Sequence, residues 1–321
     1  MQPLSFLGTD MRAVALIAWF MAALVAALMS APGAAFAQAR LRLVATTPDL
    51  ASLAEAVGGE RVALSSIVPP GLDAEEYQPR PRDLERLRDA DAVIRIGVDY
   101  DLWLDRLLIQ SQNAALARGA PGYIDASVAI ALLDVRGAAV GPGHPHGSGN
   151  PHYWLDPANA EIITGNLLEA LARIDPPGAK QYERRRIEFL DRLEAKRREW
   201  QAMLAPYQGR PFIAYHNNWA YLARRFRLNL AGFIEIKPGV PPSPAHLAGL
   251  LKAMREKDIA IIVRQPFEPA KNTEFLAGRS GAAVVVLAAS VGAVPEIRDY
   301  IGLIDYNVKA LAAGFSRGRN P

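Results

Sequence analysis

Histidine is scarce in this 321-residue chain: His144, His146, His152, His216 and His246 are all there is, and cysteine is absent. Any bound metal must therefore be held by imidazole, carboxylate, backbone or water. Disulfides, thiolate metal sites, a cysteine nucleophile and a lipidated cysteine are excluded. His152 stands in Asn150-Pro151-His152-Tyr153-Trp154-Leu155-Asp156-Pro157, directly before a predicted helix. His216 follows the predicted strand Phe212-Ile213-Ala214-Tyr215 and precedes Asn217-Asn218-Trp219-Ala220-Tyr221. Both positions are where a βα loop leaves a sheet, the place at which open α/β folds bind ligands. Carboxylates at comparable positions are Glu75 and Glu76, after Gly71-Leu72-Asp73-Ala74, and Asp299, just ahead of the last predicted helix. Two neutral imidazoles with two carboxylates would neutralise a divalent cation in a closed four-ligand site. The plainer readings are an acidic surface loop for Glu75 and Glu76, and a helix cap for Asp299.

The elements that must position these residues follow from hydrophobic periodicity. Strands are predicted at 41–47, 62–68, 92–96, 211–215, 234–236, 259–264 and 282–287. Helices are predicted at 48–57, 81–89, 101–109, 159–174, 179–204, 219–226, 246–257, 270–277 and 300–313. Strands alternating with helices indicate βαβ units and mostly parallel sheets. The helix over 179–204 is the longest, about 40 Å at 1.5 Å per residue. Its apolar positions Tyr182, Phe189, Leu193, Trp200 and Leu204 form one narrow stripe. The expected fold is α/β, with two α/β lobes joined by one long rigid helix and the ligand in the cleft between them. The expected divisions are a signal segment (1–37), an N-terminal lobe (38–176), the linking helix (177–207) and a C-terminal lobe (208–321). The Gly/Pro/His-rich stretch Gly141 to Gly149 suits no regular element.

With 36 Lys plus Arg against 33 Asp plus Glu, the net charge is +3, too little for a nucleic-acid footprint. The basic run Arg184-Arg185-Arg186 is interleaved with acids along its helix and reads as a solvated face. An uncharged run from Ala13 to Met29 follows Arg12, and Ala35-Phe36-Ala37 fits the small-residue cleavage rule. Cleavage after about Ala37 and export to a periplasm are expected, and a monomer. The signatures H-E-x-x-H, G-x-S-x-G, the P-loop and G-x-G-x-x-G are all missing.

Taken together these motifs resemble the periplasmic solute-binding proteins of zinc and manganese ABC importers. The likeness runs from Val44-Ala45-Thr46-Thr47 to Asp305-Tyr306-Asn307-Val308. The family's first-ligand loop, G-x-D-P-H-x-Y-x-P, stands here as Gly71-Leu72-Asp73-Ala74-Glu75-Glu76-Tyr77-Gln78-Pro79. Its second motif, D-P-H-x-W-x-D-P, corresponds to Asn150 to Pro157, and its third, H-x-x-x-x-Y-L-x-x-x-F, to His216 with Tyr221, Leu222 and Phe226. Lys237-Pro238-Gly239 and Pro241-Pro242-Ser243-Pro244 are similar to the family's sequence at this point. The resemblance implies a non-enzymatic receptor that carries one divalent transition ion, zinc first and manganese or iron second, to a membrane permease of an ABC importer. It implies metal ligands at Glu75, His152, His216 and Asp299.

The departures bear on the metal. Glu75 replaces the family's first histidine, a harder ligand that admits Mn(II) or Fe(II) more readily. The family's fourth acid aligns with Arg298 rather than Asp299, so either Asp299 ligates from an offset helix start or water fills that position. Glu76 remains an alternative to Glu75. The family's His-rich insertion is reduced to His144 and His146, which could capture metal loosely. His246 suits a surface or capping role, and Trp154 and Tyr221 suit packing beneath the ligands. Two other classes remain: a hydrolase using the same site with water on an open metal position, for which only Glu76 is left as base, and a receptor of the same fold for an organic solute, which would bind without metal.

Overall fold

The computed structural model describes Trp19 and residues 40–134, 149–236 and 239–318. The signal segment apart from Trp19, the loop with His144 and His146, and Lys237-Pro238 lie outside the described residues. Among the described residues no helix is long and apolar enough to cross a membrane.

Strands β1 (Leu41–Ala45), β2 (Val62–Ser66), β3 (Ala92–Arg95) and β4 (Tyr123–Asp125) form one sheet in the order β2-β1-β3-β4. Strands β5 (Pro211–Ala214), β6 (Asn229–Phe233), β7 (Ile261–Arg264) and β8 (Ala283–Val286) repeat that order as β6-β5-β7-β8. Every pairing is parallel. In each sheet the first strand of the lobe has neighbours reached by crossovers in opposite directions, which makes the carboxyl ends of β1 and β5 the switch points.

The helices are α1 (Pro48–Gly58), α2 (Pro81–Arg88), α3 (Trp103–Ser111), α4 (Asn159–Ile174), α5 (Ala179–Leu204), α6 (Ala220–Phe226), α7 (Pro244–Glu256), α8 (Ala270–Ser280) and α9 (Tyr300–Arg317). Local chemistry marks their starts. Thr47 caps α1 through its hydroxyl, which accepts Leu50 N–H, and Ser243 caps α7 by accepting His246 N–H, each followed by proline at the first helical position.

Helix α5 buries Tyr182, Phe189, Leu193, Trp200 and Leu204, the stripe expected from its sequence. It packs on α1, α4 and α9, and so touches elements of both lobes. The main core accordingly runs without a break from Leu43, Val44 and Ile94 through Leu193 and Trp200 to Phe212, Val263 and Leu303. A smaller core lies on the opposite face of the second sheet, with Ile213, Ile262, Leu250, Met254 and Leu276. The alternation along β5 divides the two: Phe212 and Ala214 face the main core and Ile213 the smaller one.

Buried hydrogen bonds also cross between the lobes. Trp154 Nε1 donates to Ala289 O (2.9 Å), Tyr300 Oη to Trp154 O (2.6 Å), and Val291 N to Asp49 Oδ1 (2.8 Å). Arg225 grips Asp156 with two bonds, at 2.6 and 2.9 Å.

Two elements differ from expectation. Strand β4 was not foreseen, because Tyr123-Ile124-Asp125 is too short to show a period. Strand β6 occupies 229–233 rather than 234–236. Ile234-Glu235-Ile236, with its two β-branched isoleucines, lies just past it, where Ile234 and Glu235 still donate to Ala214 O and Tyr215 O at 2.9 and 2.8 Å.

Asp49 generates a pH prediction. Burial raises its pKa from 3.8 to about 7, against the opposing bond from Val291 N. Between those values the folded chain holds a proton that the unfolded chain releases, so stability falls as pH rises through the window. Asp49→Asn keeps the acceptor for Val291 and removes the charge. Urea unfolding of metal-free protein should show the variant more stable at pH 8 by on the order of 2–4 kcal/mol, since a tenfold change in proton affinity is worth roughly 1.4 kcal/mol. Near pH 4 the two should be about equal; an unchanged difference at both pH values would refute the assignment.

Candidate metal centre

Glu75 lies in the loop between β2 and α2, which several side chains pin. Asp73 Oδ1 accepts Glu75 N–H at 2.9 Å, and Trp103 Nε1 donates to Ala74 O at 2.9 Å. Tyr77, buried against Trp103, donates its hydroxyl to Asp83 at 2.8 Å. Together these hold the Glu75 side chain inward, 13% exposed.

His152 precedes a short 3₁₀ turn, Tyr153–Leu155, and is 1% exposed. Its ring sits 5.3 Å from Trp154 and 5.4 Å from Tyr100. Asn150 orients it. The Asn150 amide nitrogen donates to Asn217 O (3.0 Å) and Asp134 Oδ2 (3.2 Å), both acceptors, so Oδ1 is the atom turned to His152. Oδ1 accepts His152 N–H at 3.0 Å and faces ring Nδ1 at 3.1 Å, so Nδ1 carries the proton and Nε2 is the nitrogen turned to Glu75. Tyr221 Oη fixes the same segment by donating to Asn150 O at 2.8 Å.

His216 lies just beyond β5, at the switch point of the second sheet, and is 8% exposed. Its Nδ1 faces Glu235 Oε2 at 3.0 Å. A carboxylate only accepts, so here Nε2 is left free.

These placements bring three ligating groups together. Glu75, His152 and His216 offer donor atoms that all lie within 4.8 Å of one another. The two imidazole centroids are 5.9 Å apart. His152 Nε2 and Glu75 Oε1 are 3.2 Å apart. That is about the edge of a coordination tetrahedron with bonds of ~2.0–2.1 Å.

Asp299, the fourth ligand expected from the sequence, is not brought to this cluster. It is exposed at the start of α9, where its Oδ1 accepts Gly302 N–H at 2.7 Å. The cap interaction takes the carboxylate because the unpaired amides of the first turn are its nearest donors. Glu76 is exposed and outside the three-residue cluster, and it lines a cavity of about 420 Å³ with Asp73, His216, Glu235 and Glu268. His246 is half-buried in α7 with Nε2 2.8 Å from Phe233 O, remote from the cluster in role.

The surroundings are rich in acid. Burial raises the pKa of Asp73, and the Glu75 charge adds to it. Burial lifts Glu268 from 4.5 to about 7. For His216 burial opposes the charged form, but the Glu235 hydrogen bond and the charges of Glu75, Glu235 and Asp73 outweigh it and raise the pKa. Carboxylates thus surround two imidazoles in a poorly solvated cleft, a field that favours a cation. Sequence reasoning had assigned no role to Asn150, Asp73, Glu235 or Glu268. Glu235 had a signal: it follows the second-sheet strand beside that of His216, between two isoleucines.

A sequence model of ZnuA, the periplasmic component A of a zinc-uptake complex, matches residues 43–314. The iron-binding protein YfeA of Yersinia pestis is 24% identical over 291 residues, covering 87% of each chain. The manganese-binding lipoprotein MntA of Halalkalibacterium halodurans is 25% identical over 292 residues, covering 86% of this chain and 89% of its own. A crystal structure of ZnuA superposes with a TM-score of 0.71 at 26% identity, over 87% of this chain and 98% of that one. With the fold, the motifs and the family match in agreement, this chain belongs to the ZnuA family of periplasmic metal-receptor proteins of ABC importers.

Proposed function

We propose that the protein is an exported receptor that captures one divalent transition-metal ion through Glu75, His152 and His216 and hands it to the membrane permease of an ABC importer. The observation that carries this reading is the convergence of those three side chains, with His152 Nε2 3.2 Å from Glu75 Oε1. Zinc is the first cargo, because two imidazoles and one carboxylate suit its ligand preferences. Manganese or iron is the second, because Glu75 is harder than the histidine it replaces. Relatives described as iron-binding and manganese-binding support that breadth. Water completes the coordination where Asp299 does not reach. The chain acts in the periplasm after its first 37 or so residues are removed, and makes or breaks no bond in its cargo.

Purified protein should carry about one transition ion per chain by elemental analysis. His152→Ala and His216→Ala should each weaken zinc affinity at least about 100-fold in chelator competition. Asp299→Ala should leave affinity within about twofold and cost about 1 kcal/mol of stability through the lost cap. Full binding by both histidine variants would sink the site, and a large affinity loss in Asp299→Ala would restore that residue as a ligand.

Glu75→His should shift the competition ratio towards zinc over manganese. An unchanged ratio would mean that Glu75 does not touch the ion.

Binding needs deprotonated imidazoles. Because the His216 pKa lies above the ordinary 6.5, protons begin to compete above that pH, and affinity should fall steadily from pH 8 to 5.5. A dye-competition titration over this range checks it; a flat profile would exclude His216 as a ligand.

A further inference from the structure

Glu235 lies two residues past β6, where its N–H still donates to Tyr215 O at 2.8 Å. That backbone bond sets its side chain beside the next residue of the neighbouring strand, His216. The carboxylate is 14% exposed and uses both oxygens: Oε2 lies 3.0 Å from His216 Nδ1, and Oε1 accepts Gly239 N–H at 3.0 Å. Gly239 has φ of +71°, and a Cβ there would come within 3.2 Å of Glu76 Oε1. One carboxylate therefore links an imidazole of the C-terminal lobe to a turn that meets the loop carrying Glu75. At His152, Nδ1 faces the neutral amide of Asn150 instead.

Resting on the receptor reading above, we propose that Glu235 is a positioning residue for metal capture: it holds Nδ1–H of His216 so that Nε2 is the ligating atom, and fastens the Gly239 turn beside Glu76. A carboxylate behind a metal-binding imidazole fixes its tautomer and raises its basicity, and losing such a partner typically weakens metal affinity roughly 10–100-fold. The device also suits the local topology, because residues past the ends of two adjacent parallel strands stand side by side without any loop having to fold back.

The test compares Glu235→Gln and Glu235→Ala with the parent chain and with His216→Ala. Long-range ¹H–¹⁵N spectra of metal-free protein at pH 8 should show His216 protonated on Nδ1 in the parent. The Nε2–H form should grow in Glu235→Ala. Zinc and Co(II) affinities should fall roughly 10–100-fold in both Glu235 variants, less than in His216→Ala, while melting of the metal-free proteins changes little. If Glu235→Ala does not fold, Glu235→Gln carries the comparison. Parental affinity and an unchanged His216 tautomer in the Glu235 variants, with binding lost in His216→Ala, would overturn the proposal and leave the receptor reading intact. A parent chain that binds neither zinc nor Co(II) would instead remove the receptor reading, and the metal-capture role of Glu235 with it.

Discussion

The candidate site depends on keeping two βα loops, one from each lobe, in fixed register. Asn150 carries much of that load, because one amide faces both ways. Its oxygen sets the His152 ring, and its nitrogen bonds the backbone carbonyl of Asn217, the residue after His216. Trp154 extends the same segment across the boundary by donating to Ala289 O, and Tyr300 closes the loop by donating to Trp154 O. These bonds are buried, where an unpaired group is costly. Sliding one lobe past the other would break several at once. The separation of the two imidazoles is thus set by polar bonds laid over a shared apolar core.

Much of this was legible in the sequence because the signals were local. The α5 stripe follows from helical spacing alone, and the same five residues are buried. The βα alternation announced two parallel sheets, and the loop settings of His152 and His216 pointed to ligand positions. What could not be read depended on pairings distant in sequence or on competition between local bonds. Strand β4 exists because β3 offers a free edge to three residues. Glu235 meets His216 only because β6 lies beside β5. Asp299 could be read as ligand or cap; the first-turn amide of Gly302, three residues on, decides in favour of the cap.

The charge balance around the cluster follows from the same departures. A histidine at position 75 would make a neutral donor, whereas Glu75 adds a negative charge to a cleft that already holds Asp73, Glu235 and Glu268. Burial pushes Asp73 and Glu268 towards their protonated forms, which tempers the repulsion in the absence of a cation.

The continuous core beneath α5 has a consequence for how cargo is recognised and released. Receptors whose lobes swing on a hinge convert ligand capture into a change of outline that a docking partner can feel over tens of ångströms. Here the interior is common property of both lobes, so such a swing would tear apolar surface open. Loaded and empty molecules must then differ chiefly in a few side chains and turns at the cleft mouth. On the receptor reading, a partner that tells them apart would have to touch that small patch, and freeing the ion would fall to local rearrangement there.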